Sequence, residues 1–185
     1  MRFTELEVSG VWTIELERIS DERGFFARSW SPEEFAEHGL DASLAQCSVS
    51  FNEFRGTLRG LHYQAEPHAE VKLVRCTAGA IFDVAVDVRE GSATRGCWVG
   101  VELSAANRKA LYVPAGFAHG LQSLSDGAEV FYQISTAYSP QHSRGVRWND
   151  PEIGVRWPLA DPILSPRDRE LPLLAATGGA AGRVD

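Results

Sequence analysis

Short hydrophobic runs follow one another between about residues 57 and 138, and turn residues separate them. The runs are LRGLHYQ, VKLVRCTAG, AIFDVAVDV, CWVGVEL, KALYVP, HGLQSL and EVFYQIS. Strands this short and evenly spaced are typical of a β-sandwich or barrel and not of alternating strand–helix units. Asp126-Gly127 is the strongest hairpin signal among the turns. The pattern therefore predicts an all-β domain.

One short helix is predicted beside these strands. Ser31 suits the N-cap and Pro32 the first helical position, while Glu33 and Glu34 complement the helix dipole. Gly39 can end the helix. We therefore expect a few short helices around an all-β core.

The two ends of the chain have different patterns. The N-terminal run MRFTELEVSGVWTIELERI alternates well but has no obvious hairpin partner of its own, so we predict that it pairs with a neighbouring subunit in a homodimer. Residues 139 to 170 contain five prolines, which do not fit central strands or helices, and they predict an extended wrapping segment. The final AATGGAAGRVD is too small to pack. We expect one domain over residues 1–174 and a disordered tail over 175–185.

Composition and charge narrow the classes of function. The 185 residues suit one domain with one core. With 18 basic and 25 acidic side chains the net charge is −7, which argues against nucleic-acid or anionic-membrane partners but allows a local basic pocket. No apolar run approaches the roughly 18 to 20 residues of a membrane span, and the first residues lack a signal-peptide pattern. We expect a soluble, cytoplasmic protein.

The three cysteines, Cys47, Cys76 and Cys97, lack CxxC spacing. Neither a disulfide framework nor a zinc knuckle is indicated. The sequence predicts three small buried thiols.

Several polar residues interrupt the strand pattern. Alternation places Lys72 on one face with Val74 and Cys76, and the alternative is a lysine at the surface or rim, which is the commoner case. Tyr132 similarly shares a face with apolar residues, and the alternative is a core tyrosine with a satisfied hydroxyl. For Asp83 and Asp87 a solvated strand face and a functional site remain equal alternatives.

Two histidines lie in more distinctive settings. His62 follows Gly60, which could permit a β-bulge. PAGFAH, which ends at His119, resembles the second conserved motif of the cupin barrels, whose histidine often binds a metal. The first cupin motif needs HxH and a glutamate, whereas here Tyr63-Gln64 follows His62. The ligand set is incomplete, so the motifs favour the barrel but predict no metal.

Longer segments extend this resemblance over about residues 1 to 173. The chain resembles the dTDP-4-dehydrorhamnose 3,5-epimerase family, which are cofactor-free nucleotide-sugar epimerases and usually homodimers. The matching segments are DERGFFARSW, GTLRGLHYQ, EVKLVRCTAGAIFDVAVDVREGSAT, YVPAGFAHGLQSL, EVFYQISTAYSP, WNDPEIGVRWP and LSPRD. The resemblance implies a cupin-like jelly-roll β-barrel and a nucleotide-diphosphate sugar as substrate.

The reaction of that family explains which residue types are needed. In a 4-keto-6-deoxyhexose the C–H bonds at C3 and C5 are acidified, and epimerisation needs a base on one face, an acid on the other and stabilisation of the enolate. The resemblance implies that His62 is the base, that Asp168 holds its ring, and that Tyr132 returns the proton. Lys72 would lie beside the C4 oxygen.

The resemblance also implies a set of substrate-binding residues. Two arginines suit the diphosphate, and three other side chains would line the cleft with less defined roles. A third arginine, in LSPRD, would add a phosphate contact or lie on the surface. The predicted set is Arg23, Gln46, Arg59, His119, Tyr138 and Arg167.

Departures from the family pattern leave the substrate open. Arg28 and Ser143 stand where dTDP-specific members often have glutamates, and Ser48 stands where asparagine is usual, near a one-residue insertion before Thr57. The alternatives are an epimerase acting at C3 or C5 alone on another nucleotide sugar, such as a CDP-linked one, a metal-dependent cupin enzyme, and a non-catalytic sugar-nucleotide binding module.

Overall fold

Two antiparallel sheets form the body of the protein in a computed structural model, which describes residues 1–177. The strands are β1 (Arg2–Glu5), β2 (Trp12–Glu15), β3 (Ile19–Asp21), β4 (Gly24–Phe26), β5 (Gln46–Asn52), β6 (Leu58–Gln64), β7 (Lys72–Ala78), β8 (Ala80–Asp87), β9 (Trp98–Ser104), β10 (Ala110–Val113), β11 (Phe117–Ser123), β12 (Ala128–Ile134) and β13 (Ser143–Gly145). The helices are α1 (Pro32–Glu37), α2 (Pro166–Arg169) and α3 (Leu174–Thr177).

The two sheets pack as a cupin-like jelly roll, which confirms the predicted fold. One sheet has the order β1-β2-β10-β7-β12-β5, and the other β13-β6-β11-β8-β9. Each of the seven predicted runs begins within two residues of a strand between β6 and β12. Apolar residues of both sheets meet in one core. Val74 and Val130 come from the first sheet, and Ile81 and Leu121 from the second.

The N-terminal run forms its own hairpin, so the prediction that it lacks a partner within the chain is wrong. β1 pairs with β2, and β2 then pairs with β10. The Glu5 carboxylate accepts hydrogen bonds from the Ser9 hydroxyl and the Gly10 N–H, and Gly10 has a φ of +93° that favours glycine. This turn lacks an Asn-Gly or Asp-Gly pair, and the sequence interpretation therefore missed it.

The Asp126-Gly127 turn is present, but the strands it joins do not pair. Gly127 has a φ of +62°, as the turn requires. β11 before it and β12 after it belong to different sheets, and β12 pairs instead with β5 and β7. The predicted hairpin is therefore a crossover between the two layers of the jelly roll.

The proline-rich segment wraps the domain but contains two regular elements. β13 extends the second sheet beside β6. Pro166 is the first residue of α2, a position where the missing N–H of proline has no helical partner anyway, so the expectation that all five prolines avoid helices is wrong. Pro140, Pro151, Pro158 and Pro162 do lie outside strands and helices.

The boundary predicted at residue 174 falls at the start of α3, in which Leu174 is buried. The first three residues of the predicted tail, 175–177, are helical, and residues 178–185 lie outside the described part of the chain. Residues 1–177 contain no helix that is long and apolar enough to cross a membrane.

The predicted helix and cysteines have mixed outcomes. α1 begins at Pro32, and Ser31 occupies the N-cap position without a side-chain capping bond. All three cysteines are free, but only Cys76 is buried. Cys47 and Cys97 are exposed, so the prediction of three buried thiols is wrong for two of them.

Candidate active site

A cavity of about 630 Å³ opens between the two sheets, and Leu164 and Ser165 near α2 close one side of it. Its volume suits a small-molecule site. Nine of the ten predicted site residues line it, namely Gln46, Arg59, His62, Lys72, His119, Tyr132, Tyr138, Arg167 and Asp168. The fold therefore brings together side chains that are up to 122 residues apart in the sequence, from Gln46 to Asp168.

His62 forms a short hydrogen bond with Asp168. The imidazole Nε2 lies 2.6 Å from Oδ1 of the carboxylate, which is 6% exposed, whereas the His62 ring is 35% exposed. With Nε2–H donating to Asp168, Nδ1 is the ring nitrogen that can accept a proton. A buried carboxylate thus orients a half-exposed base.

The backbone around His62 is shaped by two glycines. Gly60 has a φ of +123°, and a Cβ added there would lie 2.6 Å from the Cα of Gly120 on β11. The pairing of β6 with β11 shifts register opposite this point, which confirms the predicted bulge. The close approach of the two strands requires glycine and places His62 directly opposite His119.

Asp168 is held ionised by its own hydrogen bonds. Burial alone would raise the pKa of its carboxyl, but hydrogen bonds from His62, the Gly60 N–H and Ser165 together lower that pKa below its usual value. The Asp168 N–H in turn donates to the Ser165 hydroxyl at the N-cap of α2. The LSPRD segment therefore presents a charged carboxylate to the cavity at neutral pH.

Lys72 is buried and already has a carboxylate partner within the chain. Its Nζ lies 2.9 Å from Glu70 Oε1 and donates to the His62 carbonyl at 3.3 Å. The rim-lysine alternative is therefore wrong. The sequence interpretation missed Glu70, although a carboxylate two residues before a buried lysine was an available signal.

Tyr132 is packed on the core and also reaches the cavity. Its Oη lies 3.2 Å from the Ser50 hydroxyl on β5, and burial raises the pKa of the phenol to about 12. The hydroxyl is therefore protonated at neutral pH and can donate a proton. The two alternatives for this residue were not exclusive, because a core tyrosine can still present its hydroxyl to a site.

A second histidine–carboxylate pair lies beside the first. His119 Nε2 lies 2.8 Å from Asp83 Oδ1, and both side chains are buried. The His119 ring meets the Tyr132 ring edge-on, with 6.0 Å between centroids. Asp83 and Asp87 are fully buried, so the alternative of a solvated strand face is wrong for both.

Asp87 does not belong to the cavity, and its hydrogen bonds instead hold the loop after β8. Its carboxylate accepts from the Arg89 guanidinium and from the hydroxyls of Ser92 and Thr94. Burial opposes ionisation, but these bonds hold the pKa of the carboxyl far below its usual range. This residue stabilises a loop and does not line the cavity.

The two proposed catalytic side chains come from opposite sheets. His62 lies on β6 of the five-stranded sheet, and Tyr132 lies on β12 of the six-stranded sheet together with Lys72 on β7. A flat ligand between the layers would meet an imidazole on one side and a phenol on the other. This arrangement suits proton removal from one face of a ligand and proton return to its other face.

Arginine and aromatic side chains form the mouth of the cavity. Arg59 donates through Nε to Asn52 and through Nη2 to the Phe51 carbonyl, which fixes an exposed guanidinium. The Arg167 Nη2 donates to the Ser143 hydroxyl at 2.9 Å. Tyr138 is 56% exposed at the same rim. The planar guanidinium groups of Arg59 and Arg167 suit phosphate oxygens.

Arg23 and Arg28 lie away from this cavity. Arg23 sits in the turn between β3 and β4, where its 83% exposed side chain pairs with Asp21. Arg28 pairs with Glu34 of α1. Neither side chain lines the cavity of its own chain, so a substrate contact by Arg23 stays a prediction.

Within residues 1–177, no group of three or more histidine, cysteine, aspartate or glutamate side chains is arranged to hold a metal ion. The two cavity histidines each bond a different carboxylate. The site as described supports acid–base chemistry on a bound anionic ligand.

Comparison with known proteins identifies the family. A family model described as dTDP-4-dehydrorhamnose 3,5-epimerase matches residues 5–176. The chain belongs to the dTDP-4-dehydrorhamnose 3,5-epimerase family. The protein is thus an isomerase of the nucleotide-sugar epimerase type, which confirms the class that the sequence motifs implied.

Three similar proteins from this comparison bear on its chemistry. A dTDP-4-dehydrorhamnose 3,5-epimerase of Sinorhizobium fredii is 45% identical over 94% of this chain and 90% of the relative. A dTDP-4-dehydrorhamnose 3-epimerase of Streptomyces niveus is 42% identical over 95% of this chain and 84% of the relative. The structure of a Legionella pneumophila dTDP-6-deoxy-D-glucose-3,5-epimerase in complex with dTDP-4-keto-L-rhamnose is 38% identical, with a TM-score of 0.88 over 94% of this chain and 93% of that one.

Proposed function

We propose that this epimerase acts on a dTDP-linked 4-keto-6-deoxyhexose and inverts C3 and C5 by proton abstraction and reprotonation next to the C4 ketone. The observation that carries the proposal is the facing pair of His62, oriented by Asp168, and Tyr132 in one cavity. The 3,5-epimerases among the similar proteins support the choice of both carbons and of dTDP.

In the first step His62 Nδ1 takes the proton from C3 or C5. The electron pair of the C–H bond forms a double bond to C4, and the C4 oxygen takes the negative charge as an enolate. The imidazole becomes a cation, which the charged Asp168 carboxylate stabilises at 2.6 Å. Lys72 supplies the cation for the C4 oxygen, because its burial makes the interaction stronger than it would be in water.

In the second step Tyr132 donates its phenolic proton to the same carbon from the opposite face. A new C–H bond forms with inverted configuration and the ketone returns. Solvent then removes the added proton from the His62 imidazolium and gives a proton to the Tyr132 phenolate. Ser50 lies within hydrogen-bond distance of the phenol oxygen and can stabilise the phenolate that remains. No redox change occurs, so the reaction balances without a cofactor.

The nucleotide part of the substrate would lie at the mouth of the cavity. We assign the diphosphate to Arg59 and Arg167, whose guanidinium groups are exposed there and have no carboxylate partner among residues 1–177. Tyr138 and Gln46 would contact the nucleoside end, and His119 the sugar. Ser143, which replaces the usual glutamate, leaves the Arg167 charge uncompensated at this position.

The experiment that tests the function is turnover in deuterium oxide read by NMR. Purified protein is incubated with dTDP-, CDP- and GDP-linked 4-keto-6-deoxyglucose, and deuterium at each carbon is followed. We expect label and inversion at both C3 and C5 with the dTDP sugar. Label confined to C3 would support instead a 3-epimerase, the activity of the Streptomyces niveus relative. No label with any sugar would contradict an epimerase function.

We also propose a homodimer, on grounds other than the N-terminal run. Ile19 and Phe26 on the β3–β4 hairpin are each 73% exposed, and Val49 and Phe51 on β5 are 60% and 58% exposed. Large apolar side chains that are exposed to this extent are typical of protein–protein interfaces. Light scattering at micromolar concentration should give twice the chain mass of 20.3 kDa, and the mass of one chain would contradict the proposal.

A cytoplasmic location stays a prediction. It agrees with three cysteines that are free in the structure, two of them exposed. Fractionation of the source cells with an antibody to the protein would test it.

A further inference from the structure

Among residues 1–177, backbone hydrogen bonds join the loop that carries Tyr138 to other elements only at its two ends, from the Ser135 N–H to the Val71 carbonyl and from the Ala65 N–H to the His142 carbonyl. The loop spans residues 135–142, between β12 and β13. The Tyr138 side chain is 56% exposed, so core packing does not fix its position. Its backbone N–H donates to Gln46 Oε1 at 3.2 Å. A ring that must meet a ligand at this rim therefore depends on how firmly its backbone is anchored.

Gln64, the last residue of β6, anchors the backbone immediately on both sides of Tyr138. Its Oε1 accepts from the Ser139 N–H at 2.6 Å, and its Nε2 donates to the Ala137 carbonyl at 3.3 Å. The same Nε2 donates to the His68 carbonyl at 3.1 Å. The side chain is only 2% exposed. One buried amide thus brackets the tyrosine backbone and ties it to the strand that carries His62.

We propose that Gln64 is a positioning residue for substrate binding, which sets the Tyr138 ring at the mouth of the cavity. The expected effect on KM rests on the proposed function. The anchoring of the Tyr138 loop by Gln64 does not depend on that function. Gln64 also lines the cavity, but its amide oxygen and nitrogen are occupied by backbone partners, so it acts through the loop and not on the reacting carbons. Its loss should therefore weaken binding and leave the chemical step unchanged.

Only a primary amide satisfies all three partners. The site needs one acceptor for an N–H and two donated hydrogens for carbonyls, which matches the inventory of a glutamine side chain. Methionine has similar length and shape but forms none of these bonds. Glutamate keeps the acceptor for the Ser139 N–H but sets an acceptor oxygen against the His68 and Ala137 carbonyls. Both variants therefore remove the anchoring of the loop.

The matched control is Gln122, a second buried glutamine that clamps a different loop. Its Nε2 donates to the Leu159 carbonyl at 2.9 Å, and its Oε1 accepts from the Leu159 N–H at 2.9 Å. It does not line the cavity. Gln122→Met therefore removes the same kind of contact from the same kind of environment, away from Tyr138.

The test combines kinetics with hydrogen exchange. For Gln64→Met we expect KM for dTDP-4-keto-6-deoxyglucose to rise about five- to tenfold, with kcat within about twofold of the parent. Gln64→Glu should raise KM at least as much, because a carboxylate oxygen would face two carbonyl oxygens. In a Tyr138→Ala background Gln64→Met should change KM by less than about twofold, since the two changes share one effect. Gln122→Met should lower the melting temperature and leave KM unchanged.

Hydrogen exchange provides the readout that does not need turnover. Amides of residues 137–142 should exchange faster in Gln64→Met and at the parent rate in Gln122→Met. Four results for Gln64→Met would each overturn the inference. They are unchanged hydrogen exchange at residues 137–142, an unchanged KM, a loss confined to kcat, and an equal effect on KM with and without the Tyr138 side chain. If Gln64→Met does not fold, Gln64→Asn, which keeps the amide on a side chain shorter by one methylene, decides by the same measurements. If the parent does not turn over the dTDP sugar, the proposed function fails, and hydrogen exchange alone decides on Gln64.

Discussion

Replacement of Asp168 by asparagine separates the orientation of His62 from the stabilisation of its charge. Asparagine keeps the size of the side chain and an oxygen that can accept from His62 Nε2, but it removes the negative charge. The carboxylate is 6% exposed and lies 2.6 Å from the imidazole, so solvent screens the pair only in part. The charge matters most after His62 has taken the proton from carbon, and the effect should therefore appear in kcat.

The expected size of this effect follows from the contact. Hydrogen bonds to charged groups contribute about 1.5 to 3 kcal/mol, and a loss of about 2 kcal/mol in the transition state corresponds to about 30-fold in kcat. The assay is steady-state turnover of dTDP-4-keto-6-deoxyglucose, together with the melting temperature of each variant. Asp83→Asn is the matched control, because Asp83 bonds His119 in the same manner. We expect it to lower kcat by less than about threefold.

Two results would refute this reasoning. If Asp168→Asn retains kcat within about twofold of the parent at an unchanged melting temperature, the carboxylate does not stabilise a cation on His62. If Asp83→Asn loses as much as Asp168→Asn, the two histidines are not distinguished by their roles.

Three further changes test other parts of the account. Asp87→Ala should lower the free energy of unfolding by about 3 kcal/mol at pH 7. Because a carboxyl with a depressed pKa contributes its full stability only above its unfolded pKa, calorimetry should show this difference from the parent shrinking as the pH falls below about 4. A difference that grows in acid would contradict this. Ser50→Ala should slow inversion but not deuterium exchange, since it removes a hydrogen bond from the Tyr132 phenol oxygen, and equal slowing of both would show another role. Treatment with EDTA should leave turnover unchanged, and restoration of lost activity by one divalent ion would contradict acid–base catalysis by side chains alone.

The strands from β6 to β12 could be predicted because each coincides with a short, largely apolar run. Turn residues separate these runs, so the sequence itself indicates the number and approximate bounds of the strands. The local sequence does not determine in the same way which strands pair with each other. The Asp126-Gly127 turn was predicted as a hairpin, but its two strands belong to different sheets, since long-range packing decides their partners.

The site was predicted from motifs, and its polar support was missed for a physical reason. His62, Tyr132, Lys72 and Asp168 stand in segments that resemble a family, and all four line one cavity. Ser50, the partner of Tyr132, comes from another strand whose approach depends on the tertiary fold, whereas Glu70 lies two residues before Lys72 and could have been found from the sequence. Burial of Asp83 was likewise invisible, because an aspartate in a strand is usually solvated unless a partner such as His119 satisfies it.

The most direct test of the central claim compares deuterium exchange with inversion in His62→Ala and Tyr132→Phe, by NMR in deuterium oxide. Without the base neither C–H bond opens, so His62→Ala should show neither exchange nor inversion. Tyr132→Phe keeps the packed ring and removes only the hydroxyl, so exchange should persist while inversion falls about 10²- to 10⁴-fold. Inversion at the parent rate in Tyr132→Phe, or continued exchange in His62→Ala, would contradict a base and an acid that act from facing sheets.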